Sequence, residues 1–211
     1  MAVSISNFND FSKKFSELRH SSDLFAFFLF DDRPSQKQVE QFASKNFDWL
    51  DTLAASADLF FFFIFLREDG DHPGEFSNPS LEVAKLFDLL PNNLPGVVLF
   101  TLAKDGASVS KGVFLPLKAE LFQKDIGHVE EVFSDLFGLL QKCTSTGAKG
   151  NKLLKAIEQE VNHLTSKEQL RPLVQYLRSG LVYIAKSPKQ IAASLYEAFA
   201  KELVRRAFGA Q

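Results

Sequence analysis

The apolar residues of the chain occur in two kinds of pattern. Residues 24–30 (LFAFFLF) and residues 59–66 (LFFFFIFL) are unbroken apolar runs of strand length, and charged residues bound both of them. A run without alternation is typical of a strand that is covered on both faces. Between the two runs, residues 36–55 repeat apolar positions at helical spacing. The pattern predicts a βαβ unit, whose crossover makes the two strands parallel.

The chain from residue 79 to residue 143 predicts a helix, a hairpin and another helix. Residues 79–90 have helical spacing and begin with a proline. Residues 97–102 and 109–116 are separated by a Lys-Asp-Gly turn, so we predict that they pair as an antiparallel hairpin. Residues 126–143 form an amphipathic helical pattern. The predicted fold class is α/β, with about four strands in the order βαβ, helix, β-hairpin, helix.

The last part of the chain predicts only helices, in three apolar stripes over residues 153–164, 170–184 and 191–203. Charge changes at the start of this part. Residues 1–146 contain 13 Lys/Arg against 21 Asp/Glu, a net charge of −8, whereas residues 147–211 contain 11 against 5, a net charge of +6. We therefore predict an acidic α/β domain over residues 1–146 and a basic domain of about three helices over residues 147–211.

Composition bears on the core and on the compartment. The 211 residues include 23 Phe, three Tyr and one Trp, which predicts an aromatic core with few polar groups. The longest apolar run is shorter than the roughly 18–20 residues of a membrane helix, and the N-terminal residues lack the apolar stretch of a secretory signal. The single cysteine excludes an internal disulfide. We expect a cytoplasmic protein without a membrane span.

The order of the predicted elements over residues 5–143 resembles the thioredoxin fold. In that family a proline, usually cis, stands just before the third core strand. Leu94-Pro95 occupies the matching place before residues 97–102. On the strength of this resemblance we predict that the Leu94–Pro95 peptide bond is cis.

The redox motif of the thioredoxin family has no counterpart here. The family's Cys-x-x-Cys follows the first core strand, whereas residues 31–38 of this chain (DDRPSQKQ) contain no cysteine. The only cysteine, Cys143, lies on the apolar stripe of the predicted helix over residues 126–143, which predicts a buried core thiol. The resemblance therefore implies the scaffold and its binding groove without thiol–disulfide exchange.

Polar residues follow the predicted parallel strands at their carboxyl ends, where ligands gather in open α/β sheets. Together with the proline pair, the candidates for a binding surface are Asp31, Asp32, Arg33, Pro34, Asp69, Asp71, His72, Leu94 and Pro95. Such an oxygen-rich cluster suits Mg²⁺ or Ca²⁺, but its spacing matches no defined metal loop. A solvated acidic rim that binds a partner is the favoured interpretation. No catalytic residue, metal ligand or cofactor is assigned.

A basic patch is predicted on the C-terminal helices, formed by Lys152, Lys155, Arg171, Arg178, Arg205 and Arg206. Charge spread over several helices is more typical of a solvated surface than of a nucleic-acid footprint, and the acidic first domain would repel phosphates. A simpler interpretation is that these helices complement an acidic surface, either of the chain's own N-terminal domain or of a partner.

Three functional hypotheses follow from these patterns. The first is a redox-inactive thioredoxin-like protein that acts as a protein-interaction or scaffold module, with another protein or a second copy as its partner. The second is an enzyme that uses Asp31, Asp32, Asp69 or His72 as acid/base groups or metal ligands. The third is a regulator that binds nucleic acid through residues 150–211.

Overall fold

A computed structural model of the chain describes residues 2–5, 17, 22–30, 41–42, 45–64, 79–103, 109–166, 171–178 and 182–183. The described strands are β1 (Ala2–Ile5), β2 (Leu24–Leu29), β3 (Leu59–Ile64), β4 (Gly96–Leu102), β5 (Val109–Pro116) and β6 (Val182–Tyr183). The described helices are α1 (Phe47–Ser56), α2 (Pro79–Leu86), α3 (Ile126–Thr144), α4 (Asn151–Ser166) and α5 (Pro172–Tyr176), with 3-10 turns at Pro91–Asn93 and Ala119–Gln123. The fold is mixed α/β, as predicted.

The strands form one mixed sheet in the order β1-β3-β2-β4-β5-β6. β3 lies parallel to both β1 and β2, whereas β4 is antiparallel to β2 and to β5. The parallel β2–β3 pair and the antiparallel β4–β5 pair confirm the predicted pairing of all four long strands. The two edge strands, β1 and β6, were not predicted from the sequence. They are only four and two residues long, too short to show a period of their own.

Both faces of the sheet are covered. Leu24, Ala26 and Phe28 of β2 belong to one apolar cluster, together with residues of α1, α3, α4 and α5. Phe25, Phe27 and Leu29 belong to a second cluster, together with residues of α2. Successive residues of a strand point to opposite faces, so an unbroken apolar run is required when both faces are buried. The structure confirms this interpretation of residues 24–30.

Phenylalanine rings fill both clusters. Phe28 of β2 meets Phe133 of α3 edge to face, with ring centroids 5.4 Å apart. On the other face, the rings of Phe27 and Phe100 stack at 5.4 Å. Such aromatic pairs contribute about 0.5–1.5 kcal/mol each beyond the burial of their apolar area. Phenylalanine rings therefore form much of the described core, as the composition predicts.

Helix α2 ends earlier than the apolar spacing predicts. The pattern continues to Leu90, but the helix stops at Leu86 because Asp88 adopts a left-handed backbone with φ of 54°. Leu89 N then donates to Ala84 O at 2.9 Å, and Asp88 N donates to Lys85 O at 3.1 Å. These two bonds form a Schellman-type cap that satisfies the last carbonyl groups of the helix. The chain after this cap leads directly to the turn before β4.

The C-terminal part contributes to the same core as the sheet. Helix α4 buries the predicted stripe, including Leu153, Leu154 and Ile157, in the cluster that contains the first-face residues of β2. Most of residues 179–211, including the predicted stripe 191–203, lie outside the described residues. The boundary between two domains after residue 146 therefore stays a prediction.

The predicted helical stripe over residues 170–184 is confirmed over α5 and is wrong for the rest of its described part. Helix α5 ends at Tyr176, Leu177 is extended, and Val182–Tyr183 form strand β6. Leu177 bridges to Leu117, and β6 pairs with β5. Pairing with a distant strand thus overrides the local helical spacing, and this part of the chain is not all helical. None of the described helices is long and apolar enough to cross a membrane.

Candidate functional site

Seven of the nine residues predicted for the acidic binding surface lie outside the described residues, namely Asp31, Asp32, Arg33, Pro34, Asp69, Asp71 and His72. The structure does describe the strands that lead to them. Phe28 of β2 lies opposite Phe63 of β3, and Leu29 lies opposite Gly96 at the start of β4. The carboxyl ends of β2 and β3 are therefore neighbours, with Pro95 directly before the paired Gly96. The use of this edge as a binding surface stays a prediction.

The two described members of that surface are buried. The Leu94–Pro95 peptide bond is cis, which confirms the prediction for this bond. The side chain of Leu94 is 0% exposed and Pro95 is buried as well. Pro95 O accepts a hydrogen bond from Leu117 N at 2.9 Å. The buried side chains of these two residues are therefore not available for contact with a partner.

Arg178 belongs to the same region. Its guanidinium donates to the carbonyl oxygens of Asn92, Leu94 (3.1 Å) and Leu117 (3.4 Å), and its backbone N donates to Pro116 O at 3.0 Å. The side chain thus joins the turn before Pro95 to the end of β5. Arg178, a member of the predicted basic patch, therefore binds backbone carbonyl groups of its own chain.

The structure describes three of the five remaining members of the basic patch. Arg171 is exposed at the start of α5, and Arg205 and Arg206 lie outside the described residues. Lys152 and Lys155 of α4 line a groove between this helix and strand β5, with a volume of about 280 Å³. The residues that line it are Lys111, Gly112, Val113, Asn151, Lys152, Leu154, Lys155 and Glu158. We call this site the β5–α4 groove.

The groove has a basic rim and an apolar floor. Ser110 Oγ donates to Asn151 Oδ1 at 3.3 Å, and Lys111, the next residue of β5, lines the groove together with Asn151. The floor is formed by the buried side chains of Val113 and Leu154. Three lysines from two elements that are far apart in sequence therefore surround one apolar surface.

The lysines of the groove differ from other lysines near α4. Lys142 Nζ lies 2.6 Å from Glu160 Oε1, and Lys149 Nζ lies 2.8 Å from Asp23 Oδ2. In contrast, none of the three groove lysines forms an ion pair with a carboxylate of the described residues. Like charges close together repel unless an anion lies between them. The groove is therefore a place where an anionic group would be stabilised.

The N-terminal residues of helix α4 line this groove. The N-terminus of a helix carries a partial positive charge, so acidic residues are favoured in its first turn. The first turn of α4 contains no acidic residue, and Lys152 lies there instead. The backbone N–H groups of Lys152, Leu153 and Leu154 already donate to Lys149 O or Gly150 O. The anion-attracting groups of the groove are consequently its ammonium groups rather than backbone amides.

An ion pair between Lys149 and Asp23 joins the basic part of the chain to the first strand of the βαβ unit. Asp23, just before β2, accepts a hydrogen bond from Lys149, and this bond together with the carboxylate charge raises the pKa of Lys149. Both side chains are largely exposed, so we expect the pair to add little to stability. This pair agrees with the interpretation that some of the C-terminal basic charge complements the chain's own N-terminal part.

The other chemically reactive side chains are structural where they are described. Cys143 is buried on α3, and burial, followed by the charge of Glu160, raises the pKa of its thiol to about 11. The predicted core thiol is thus confirmed. His128 Nδ1 lies 3.3 Å from Asp125 Oδ2 at the start of α3. No group of three or more His, Cys, Asp or Glu residues suited to a metal occurs within the part of the chain that the structure describes.

Comparison with known proteins assigns neither a family nor an activity. No protein-family model matches the chain, and no curated protein or solved structure matches it. The function is therefore inferred from the residues of this chain and their arrangement.

Proposed function

We propose that the protein is a redox-inactive, thioredoxin-like interaction module that binds an acidic segment of another protein in the β5–α4 groove. One observation carries the proposal: Lys111, Lys152 and Lys155 converge on a groove with an apolar floor, and none has a described carboxylate as its ion-pair partner. An acidic segment would supply the missing counter-charges and cover the floor.

The thioredoxin-like part of the proposal is supported by the order of elements. β2, α1, β3, α2, the β4–β5 hairpin and α3 follow one another in the order that the resemblance implies. The absence of cysteine from residues 31–38 and the burial of Cys143 support a role without disulfide exchange. The scaffold would then serve to hold a binding surface in place.

A protein partner is favoured over nucleic acid because the groove is short and mixed in charge. Glu158 lines the same groove as the lysines, and the whole chain has a net charge of −2. Binding of a phosphate backbone depends on many neutralised phosphates, and a carboxylate in the site opposes it. The buried apolar floor suits the aliphatic part of a peptide.

The groove also suits recognition because its lysines lie on a helix and a strand. Lys152 and Lys155 project from a helix of 16 residues, and Lys111 from a strand of eight residues. Sites on helices and strands hold their geometry better than sites on loops. The lysines are exposed, so each contact is worth about 0.2–1 kcal/mol, and we expect weak binding that declines with salt.

The test is a titration of the full chain into a fluorescein-labelled hexaglutamate peptide, followed by fluorescence anisotropy at low salt. We expect binding that weakens strongly at about 0.15 M salt. The variant Lys152→Gln/Lys155→Gln should bind roughly 2- to 30-fold more weakly, from two exposed contacts.

The matched control is Lys45→Gln/Lys124→Gln, which removes two exposed lysines at other places. The control should bind the peptide like the unmodified chain. An equal loss in both variants, or no binding at low salt, would overturn the proposal.

A labelled single-stranded oligonucleotide tests the nucleic-acid alternative in the same assay. Tighter binding of the oligonucleotide than of the peptide, lost in Lys152→Gln/Lys155→Gln, would assign the groove to nucleic acid instead. We expect the oligonucleotide to bind more weakly because Glu158 and the acidic part of the chain repel phosphates.

A further inference from the structure

The lining of the β5–α4 groove differs between its two ends. Lys111 and Lys152 lie at the end marked by Asn151, whereas Glu158 lines the other end. The positions of Asn151 and Glu158 are about 10 Å apart along the helix, at about 1.5 Å of rise per residue. Glu158 is half-buried and forms no ion pair with a described lysine or arginine. Lys155 lies on α4 between Lys152 and Glu158, so the charge of the lining is positive from the Asn151 end onwards and becomes negative only at Glu158.

We infer that the groove selects an extended segment of mixed charge in one orientation, with acidic side chains at the Lys111–Lys152 end and a basic side chain at Glu158. This inference rests on the proposed function and adds the chemical pattern that the site selects. An extended chain rises about 3.3 Å per residue, so about 10 Å corresponds to about three residues. Because side chains on one face of an extended chain are an even number of residues apart, the segment would carry its acidic and basic residues two or four positions apart.

In this arrangement Glu158 is the residue that determines specificity. It weakens the binding of a uniformly acidic segment or a phosphate backbone relative to that of a segment whose charge changes sign along the groove. Specific interfaces commonly combine an attractive element with a repulsive one that excludes other partners. The partial burial of Glu158 strengthens its interaction relative to that of a fully exposed carboxylate, because less water screens the charge.

The experiment compares two labelled peptides, Glu-Glu-Ala-Ala-Lys and Glu-Glu-Ala-Ala-Glu, by anisotropy with the full chain at low salt. The unmodified chain should prefer the mixed peptide by about two- to fivefold, the range of one exposed charge contact. Glu158→Gln keeps the shape of the side chain and removes its charge. In this variant the mixed peptide should bind more weakly, the acidic peptide more tightly, and the preference should disappear.

Glu131→Gln is the control, because it removes an exposed carboxylate on α3. It should leave the preference unchanged. If both peptides bind but Glu158→Gln keeps the preference, or weakens both peptides equally, the inference is wrong and the proposed function stands. If neither peptide binds the unmodified chain, the proposed function itself is overturned.

Discussion

At the scale of single residues, Gly96 leaves no room for a side chain. A Cβ atom at this position would lie 2.4 Å from Phe114 Cζ and 2.6 Å from Leu115 O. A backbone oxygen cannot move aside as a flexible side chain can. We expect Gly96→Ala to lower the free energy of unfolding by about 1–3 kcal/mol, the usual cost of overpacking, as measured by urea denaturation.

Gly138 provides the matched control for this substitution. It lies exposed inside helix α3, and a Cβ atom there would meet nothing within 4 Å. Alanine is favoured over glycine in a helix, so Gly138→Ala should raise the free energy of unfolding by about 0.5–1 kcal/mol. Similar effects at the two glycines would contradict the packing described around Gly96.

Cys143 gives a prediction that depends on pH. Its thiolate is disfavoured because burial raises the pKa to about 11, so the native chain should react slowly with a thiol reagent at pH near 8 and rapidly once unfolded. The folded pKa lies above the ordinary value of 9.0. The contribution of this group to stability is therefore complete below pH 9.0 and is lost as the pH rises towards 11. Rapid stoichiometric labelling of the native chain at pH near 8, followed by absorbance, would contradict the predicted slow reaction of the thiol.

The sequence allowed some residues to be placed and not others. The burial of Cys143 and of the α4 stripe followed from helical spacing, which is local information. The position of Lys111 beside Lys152 follows from the packing of α4 on β5, and no local pattern contains it. Lys111 also lies in the acidic range of residues 1–146, so the predicted basic patch of residues 147–211 does not contain it.

At the scale of elements, the start of helix α3 is stabilised by a single side chain. Asp125 Oδ1 accepts a hydrogen bond from His128 N at 3.2 Å, and this bond, together with the nearby His128 ring, lowers the pKa of Asp125. Asp125→Ala should lower the Tm by about 2–4 °C, whereas Asp125→Ser should retain most of the cap. Thermal melts of both variants would measure the difference.

The pH dependence of this cap has a defined direction. The folded pKa of Asp125 is below the ordinary value of 3.8, so the stabilisation is present above that value and is lost as the pH falls through the folded pKa. The Tm difference between the unmodified chain and Asp125→Ala should therefore shrink in acid below pH 3.8. A constant difference across this range would show that the carboxylate charge is not involved.

Element ends were harder to predict than element cores. The apolar spacing of α2 continues through Leu90, but the left-handed Asp88 ends the helix, and no proline or glycine marks this point. Likewise, the spacing over residues 170–184 is helical, but Leu177 pairs with Leu117 and β6 with β5. Long strands such as β2 were predictable because burial on both faces leaves a continuous apolar run.

At the scale of the whole molecule, α4 is part of the covering of the sheet. Its apolar side chains, including Leu154 and Ile157, share one cluster with residues of β2, β4 and α3. A chain that ends at residue 146 would expose this surface to water. We expect it to melt at a lower temperature than the full chain and to bind an apolar dye, as measured by circular dichroism and dye fluorescence. Equal melting temperatures would instead support two independent domains.

The charge boundary after residue 146 does not coincide with a gap in the described packing. Net charge reports mainly on surface residues, whereas the association of α4 with the sheet is made by buried apolar residues. The Asp23–Lys149 pair shows how opposite net charges in one chain can lie against each other. The change of net charge after residue 146 is therefore a property of the surface, whereas the described hydrophobic core contains residues from both sides of it.

The dependence of the core on phenylalanine also determines what optical methods can observe. The chain has one tryptophan, Trp49, whose ring meets Phe42 edge to face at 6.4 Å and packs on the cluster that includes α3 and α4. The cluster beneath α2 contains neither tryptophan nor tyrosine among its described residues. Tryptophan emission would thus report unfolding on one side of the sheet, while loss of α2 from the other side would leave the signal unchanged.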